Sequence, residues 1–272
     1  MTPRQRADFH TRMRGFEPRA QPGRQIRHVV AVASGKGGVG KSSVAAMLAT
    51  WLRRRELAVG VLDADITGPS IPMMFGAHQT PMAVPDGLLP VESRTGIKLM
   101  SINLLLEDES QPVVWRGPLI SRTIEQFWRD IVWGTLDYLV IDLPPGTADA
   151  ALTVTQALPL DGMVLVTSPQ DLAGMVVRKA ANMADHLGVP LLGLVENMSH
   201  IACPNCGLKI NVFGPSHGQE TARSMGTTLL GQLPLNPDLA RLCDGGMVED
   251  FRSEMFDAIT EKLLEVVAQG AS

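Results

Sequence analysis

Apolar positions along the chain fall into two patterns. Short runs dominated by aliphatic and β-branched residues recur at 29–32, 59–62, 97–102, 138–143, 162–167, 190–196 and 228–233. Runs of that length predict strands buried on both faces, as in a parallel sheet covered by helices. Between them apolar residues return every three or four positions. Over 43–57, Val44, Met47, Leu48, Trp51 and Leu52 share a face, and Arg53, Arg54 and Arg55 close the helix where cations complement its dipole. Over 119–132, Ile120, Ile124, Phe127, Trp128 and Ile131 do the same. Further helices are predicted over 171–187, 216–225 and 250–268, the last with Phe251, Met255, Ile259, Leu263 and Val266 inward. Strands alternating with helices predict an α/β fold: a mostly parallel central sheet with helices on both faces. Residues 67–76 are turn-rich yet carry apolar side chains too numerous for a passive loop. The stretch 79–93 is punctuated by proline and expected to be irregular, and Arg94, Thr95 and Gly96 signal a hairpin before the run at 97–102.

No repeat or linker divides 28–272, which reads as one domain. Residues 1–27 differ: seven arginines stand against Asp8 and Glu17, three prolines intervene, and no periodicity appears. This predicts a basic, mobile N-terminal arm. The prolines break the long amphipathic helix that an organelle transit peptide would need.

Composition narrows the function classes. With one Tyr and seven Phe among 272 residues, the core must be mainly aliphatic. A net charge of −4 argues against a general nucleic-acid binder. No run approaches the roughly 18 apolar residues of a membrane span, and the start lacks the apolar middle of a secretory signal. Three cysteines, two of them spaced C-x-x-C, do not make a disulfide framework. They point to a reducing, cytoplasmic setting and to metal or redox chemistry.

The strand at 29–32 feeds a glycine-rich turn in which Gly35, Gly40, Lys41 and Ser42 fit G-x-x-x-x-G-K-[ST], ahead of a helix. That context identifies a phosphate-binding loop made of Gly35, Lys36, Gly37, Gly38, Val39, Gly40, Lys41, Ser42 and Ser43. Glycines let the backbone turn its N–H groups toward one point, where the helix adds its positive end; such a concavity suits a polyphosphate. Lys41 would reach the β- and γ-phosphates, and the Ser42 hydroxyl would ligate Mg2+. Lys36 is not required by the general pattern. The next strand ends in Asp63-Ala64-Asp65, and the one at 138–143 in Asp142 followed by Pro144-Pro145-Gly146. Acidic residues at strand ends beside a phosphate loop stand where the ligand crevice of a parallel sheet lies. Asp142 has the position of a residue holding Mg2+ through water, and Gly146 that of a γ-phosphate sensor.

Cys203-Pro204-Asn205-Cys206-Gly207 lies between the strand at 190–196 and the helix at 216–225. Two thiolates are half of what a tetrahedral zinc or iron–sulfur site needs. Three completions are open: a symmetric dimer with one pair from each subunit, a single-chain zinc site recruiting His200 and His217, and a thioredoxin-like redox pair.

Taken together, the segments resemble the Mrp/ApbC family of iron–sulfur cluster carrier ATPases, within the deviant-Walker-A P-loop proteins that include MinD and the nitrogenase iron protein. The matching stretches are S-G-K-G-G-V-G-K-S from 34, D-A-D-I-T-G-P-S-I-P-M-M-F-G from 63, W-R-G-P from 115, D-L-P-P-G-T from 142, E-N-M-S from 196 and C-P-N-C-G from 203. The resemblance implies a P-loop NTPase that binds and hydrolyses ATP with Mg2+. It implies catalytic roles for Lys36, Lys41 and Asp65, with Lys36 reaching the partner subunit's nucleotide and Asp65 orienting the hydrolytic water. Asp63 and Asp142 would support Mg2+ and Asn197 would help hold the adenine. Cys203 and Cys206 of two chains would bridge one [4Fe-4S] cluster on a homodimer, for transfer to apo iron–sulfur proteins. The chain departs from the family pattern at Ala148, where T-G-D is usual, and at Pro215-Ser216-His217, where glycines are usual. Two other functions compete: a zinc-stabilised nucleotide-binding scaffold using His200, Cys203, Cys206 and His217, and a positioning ATPase of the MinD/ParA type. The latter would need a basic amphipathic tail, but Glu254, Asp257, Glu261 and Glu265 outnumber Arg252 and Lys262 in the closing helix.

Overall fold

The computed structural model describes residues 25–66, 68–105, 117–146, 149–170, 175–203 and 205–270. The expected arm up to residue 24 lies outside them, as do Thr67, Trp115, Arg116, Thr147, Ala148, Pro204 and positions 171–174 of the helix expected over 171–187.

In chain order the described elements begin with β1 (Gln25–Ser34), α1 (Lys41–Arg54), β2 (Val59–Asp63), α2 (Ile71–Met74), β3 (Met82–Val84), β4 (Gly87–Leu89), β5 (Val91–Glu92) and β6 (Lys98–Met100). They continue with α3 (Gly117–Asp130), β7 (Thr135–Asp142), α4 (Asp149–Ala157), β8 (Gly162–Thr167), α5 (Met175–Leu187) and β9 (Leu191–Glu196). The last are β10 (Ile201–Ala202), β11 (Lys209–Ile210), α6 (Gly218–Ser224), β12 (Leu229–Gln232), α7 (Pro237–Asp244) and α8 (Glu254–Gly270).

Eight strands form one sheet in the order β12-β9-β8-β1-β7-β2-β6-β5, parallel throughout except for β5 against β6. The expected α/β architecture is therefore present, and the alternation of side chains along β1 shows how it packs. Val30 and Val32 face a core shared with α1 and α8, whereas Val29, Ala31 and Ala33 face the core under α3, α4 and α5. A strand lined by helices on both faces has no polar side to display, which is why its sequence reads as an unbroken apolar run. Val44, Met47, Leu48, Trp51 and Leu52 of α1 are all buried as expected.

Several boundaries differ from expectation. β1 starts at Gln25, so residues 25–27, counted with the arm on composition, belong to the sheet. The stretch expected to be irregular holds the β3–β4 hairpin and β5. Its strands are short and their side chains half-exposed, so alternation is faint, but Pro85-Asp86-Gly87, with Gly87 at φ 141°, is the turn signal that could have revealed the hairpin. In α8 the inward stripe is Phe256, Ile259, Leu263 and Val267; Met255, expected inward, is exposed and Val266 only partly buried. Helix α7 is not among the elements expected from periodicity; its start is marked by Asn236, whose side chain accepts from the N–H groups of Asp238 and Leu239, followed by Pro237 at the first helical position.

Candidate functional site

β1 lies at the point where strand order reverses, flanked by β7 and β8, so its carboxyl end opens a crevice beside the ends of β7 and β2. In register, Val32 pairs with Asp142 and Asp63 pairs with Asp142, which brings the phosphate loop and both strand-end aspartates together. Gly38 and Gly40 have φ of 79° and 78°, a conformation that turns their N–H groups to one side. Ser34 closes the loop from below: its hydroxyl donates to the Lys36 carbonyl at 2.9 Å and its carbonyl accepts from the Gly146 N–H at 2.9 Å. Gly146, the expected γ-phosphate sensor, is thus anchored to the loop's first turn. At Gly35 a Cβ would come within 2.8 Å of the Val176 backbone at the start of α5, so only glycine fits. Gly40 is the N-cap of α1 and supplies no side-chain cap. The first N–H groups of that helix are left for an anion to satisfy.

The charges at the floor are arranged around Lys41, which is buried. Its Nζ donates to Asp142 Oδ1 at 2.6 Å, lies 3.3 Å from the Ser42 hydroxyl and 4.0 Å from Asp65 Oδ2. Asp142 is fully buried, and burial pushes its carboxyl above the usual range while the Lys41 ammonium opposes the shift. Its Oδ2 has no hydrogen-bond partner among the described residues. A buried carboxylate oxygen with unused lone pairs, next to a serine hydroxyl, fits the oxygen-rich donor set of Mg2+ and its water shell.

Asp63 is used differently. Its Oδ1 accepts from the Asp65 N–H at 3.1 Å, and its Oδ2 from the N–H groups of Ser70 at 2.9 Å and Ile71 at 3.0 Å. Both oxygens hold the turn between β2 and α2, a loop-holding contact where the resemblance implied support of Mg2+. Burial, and after it the neighbouring Asp142 charge, push its carboxyl up to about 8. Asp65, carried on that turn, faces Lys41 and accepts from the Gly68 N–H through Oδ1 at 3.2 Å.

The remaining expected nucleotide residues lie around the loop. Lys36 is partly exposed beside exposed Gly37 and Gly38, on the loop's outer side. Ser43 turns its hydroxyl to the Cys243 thiol of α7, and burial pushes that thiol up. Asn197 is buried behind the loop, and its amide donates to the Val39 carbonyl at 2.9 Å.

The cysteines form a separate structure. β10 and β11 pair as an antiparallel hairpin, Ile201 with Ile210 and Ala202 with Lys209. At its tip the Cys203 N–H donates to Leu208 O at 2.9 Å, the Gly207 N–H donates to Cys203 O at 2.8 Å, and Gly207 takes φ 71°. This fold-back aims the N–H groups of Cys206 and Asn205 at the Cys203 sulfur and holds its thiol below the usual range, a knuckle suited to a metal-binding thiolate. Cys206 is exposed and Cys203 partly so. Around them Leu208, Ile210 and Val212 are 64%, 46% and 54% exposed. The single-chain zinc set is not brought together: His200 is buried with Nδ1 2.8 Å from the Ser199 hydroxyl, while His217 is exposed near Glu220. Among the described residues no three His, Cys, Asp or Glu side chains converge to hold a metal ion. A redox pair of the thioredoxin kind opens a helix, and this pair sits on a hairpin.

Comparison with known proteins gives this geometry its context. The family model of NUBPL iron-transfer P-loop NTPases matches residues 25–269. An iron–sulfur cluster carrier protein of Methanocaldococcus jannaschii is 44% identical over 249 residues, 89% of this chain and 86% of that protein. A nucleotide-binding protein from Archaeoglobus fulgidus, solved in complex with ADP, is 44% identical and superposes with a TM-score of 0.77 over 85% of this chain and 91% of its own. MinD of Aquifex aeolicus, in its complex with MinC, shares the fold at 19% identity with a TM-score of 0.63, covering 88% of this chain and 96% of that one. No helix among the described residues is long and apolar enough to cross a membrane.

Proposed function

The chain belongs to the NUBPL iron-transfer P-loop NTPases, a family of iron–sulfur cluster carriers, and from that premise we propose that it binds and hydrolyses ATP while assembling a [4Fe-4S] cluster between two copies of itself in the cytoplasm and passing it to apo-proteins. The observation that carries this reading is the cysteine knuckle: two accessible thiols, one with a lowered pKa, on a hairpin to which the described residues bring no third ligand. A cargo site must be open to load and unload, and four thiolates are reached when two knuckles meet across a two-fold axis. The exposed Leu208, Ile210 and Val212 suit that meeting, because apolar surface around the thiols gains by being covered.

At the other site the loop amides and the N-terminus of α1 bind the phosphates. Lys41 has to move its ammonium from Asp142 toward the β- and γ-phosphates, an exchange of one anion for another. Mg2+, when bound at Ser42 and Asp142, supplies charge neutralisation at the transferring phosphoryl group. Asp65 accepts a hydrogen bond from the attacking water, and Gly146, anchored on Ser34, senses the γ-phosphate. Lys36 lies on the outer side of the loop, where a second subunit's nucleotide could be reached. The zinc-scaffold alternative is weakened because no three of His200, Cys203, Cys206 and His217 converge among the described residues, and the positioning-ATPase alternative by the contrast between 44% identity to a cluster carrier and 19% to MinD.

The test is anaerobic reconstitution with iron and sulfide of the parent and of Cys203→Ala, Cys206→Ala and Cys243→Ala. About four iron atoms per dimer are expected in the parent and in Cys243→Ala, and none in the other two. Zinc at about one per monomer, lost on replacing His200 or His217, would overturn the reading.

A further inference from the structure

Asn197, the residue implied to hold adenine, is engaged elsewhere. It follows β9 directly, its backbone N–H donating to Thr167 O at 2.8 Å. Its side chain is 5% exposed and both ends are used: Nδ2 donates to the Val39 carbonyl at 2.9 Å and Oδ1 accepts from the Met198 N–H at 2.9 Å. A Cβ on Gly40 would sit 2.2 Å from that Nδ2, so Asn197 fills the space the glycine leaves beneath the loop. Because a trans peptide is planar, fixing the Val39 carbonyl on Asn197 also fixes the Gly40 N–H in the opposite direction, away from Asn197. The loop's backbone is thereby set from behind.

The same residue opens a strap to the cysteines. Met198 is held at φ 56°, a left-handed conformation that persists in a non-glycine residue only where its surroundings impose it. Ser199 then donates to the Leu233 carbonyl through both its N–H and its hydroxyl, each at 2.9 Å, and His200 O accepts from the Leu235 N–H at 2.8 Å. β10 begins at the next residue and leads into Cys203. From the phosphate loop to the root of the hairpin there is a short path in which Asn197, Met198, Ser199 and His200 are each held by a hydrogen bond.

We propose that Asn197 is a positioning residue which sets the Val39–Gly40 peptide of the phosphate loop and, through the 198–200 strap, transmits the loop's occupancy to Cys203 and Cys206. The proposal rests on the polyphosphate-site reading above. If the loop shifts when phosphates bind, the Val39 carbonyl moves with it, and Asn197, Met198 and the root of the hairpin follow as a packed unit.

Inorganic tripolyphosphate with Mg2+ is the probe, because it has neither base nor ribose. Asn197→Leu keeps the approximate shape and removes the donor without placing a charge beside the anion. Its affinity for tripolyphosphate and for MgADP should fall in parallel, by roughly 5- to 150-fold, the range for leaving a buried carbonyl unpaired. In the parent, tripolyphosphate should change the rate at which iodoacetamide alkylates Cys203 and Cys206, and in the variant that response should be lost. Ser199→Ala, which loosens the strap by removing the hydroxyl bond while the Ser199 N–H bond and the loop contact stay, should keep tripolyphosphate affinity while weakening the thiol response; it keeps the proposal falsifiable if Asn197→Leu does not fold. Lost ADP affinity with tripolyphosphate affinity intact would make Asn197 an adenine residue and overturn the proposal. An undiminished thiol response in both variants would overturn it as well. A parent that binds neither ligand would overturn the polyphosphate-site reading itself, and the proposal with it.

Discussion

The phosphate loop follows β1 and the cysteine hairpin follows β9, and the two are built on opposite principles. Around Lys41 nearly every polar group is buried and committed, and the loop is tied to β7 through Gly146, to α5 through the lack of room at Gly35, and to β9 through Asn197. The hairpin has two residues per strand and exposed side chains at Leu208, Ile210 and Val212. A dense network makes the loop and the groups behind it one packed unit, so that the phosphate-binding amides are held together and any movement of the loop is shared by its neighbours. A sparse tip with two accessible thiols is half of a site. On the function proposed above, the difference would mean that the chain completes its nucleotide site almost alone and leaves its cysteine site to be finished by a second copy.

Lys36 is the exception to that division, and removing it should have the largest effect. It sits on the exposed side of an otherwise self-sufficient loop. If it serves a partner's nucleotide, Lys36→Ala should lose about 10³- to 10⁵-fold in turnover, the range for a cation supplied in trans to a transferring phosphoryl group, with MgATP affinity nearly kept. Single-turnover rates and nucleotide titration on the same preparation separate the two. Normal hydrolysis by the variant would return the nucleotide site wholly to one chain and sharpen the comparison above.

The contrast also governs what the sequence could reveal. Gly35, Gly40, Lys41 and Ser42 are legible because one short segment carries the whole pattern, and the apolar runs of β1, β7 and β8 are legible because burial on both faces leaves no polar interruption. Contacts between distant segments left no such trace. Asp63 reads as a site carboxylate from its place at a strand end, and only the folded chain reveals that Ser70 and Ile71 occupy it. Asn197 meets Val39 across 158 positions, a pairing no local spacing encodes. α7 was missed for a different reason: Asn236 and Pro237 announce it, but its eight residues bury little beyond Cys243, so the periodic signal was too short.

A second test asks how much of the dense site's cost is electrostatic. Burial raises the Asp63 carboxyl from 3.8 to about 8 in the folded chain without nucleotide. A folded value above the unfolded one means that the folded state binds the proton more tightly. The associated stability is full below the unfolded value and is lost as pH rises toward 8. Without Mg2+ and nucleotide, the melting advantage of the parent over Asp63→Asn should therefore shrink between pH 5 and pH 8, at a rate of at most about 1.4 kcal/mol per pH unit. Thermal melts of both proteins across that window are the measurement. A gap that stays constant would mean that Asp63 is charged throughout, with Lys41 and the Ser70 and Ile71 amides outweighing its burial.

The smallest expected effect lies at the hairpin, and its smallness is informative. Leu208 and Val212 are more than half exposed, so replacing both by Ser removes apolar surface that the chain itself does not cover. Surface changes of this kind stay within about 0.5 kcal/mol each, which for a domain of this size shifts the melting temperature by no more than a few degrees. The same surface, if pressed against a second copy around the cluster, is worth roughly 25 cal/mol for each Å² covered. The doubly substituted protein should thus melt almost like the parent, yet after reconstitution with iron and sulfide its dimer should dissociate at higher protein concentration, read by sedimentation. An unchanged dimer would remove the stripe from the contact and leave the four thiolates to hold the copies together. A large loss of melting temperature would mean that these side chains are packed within their own chain, and the hairpin would then be less open than its two accessible thiols suggest.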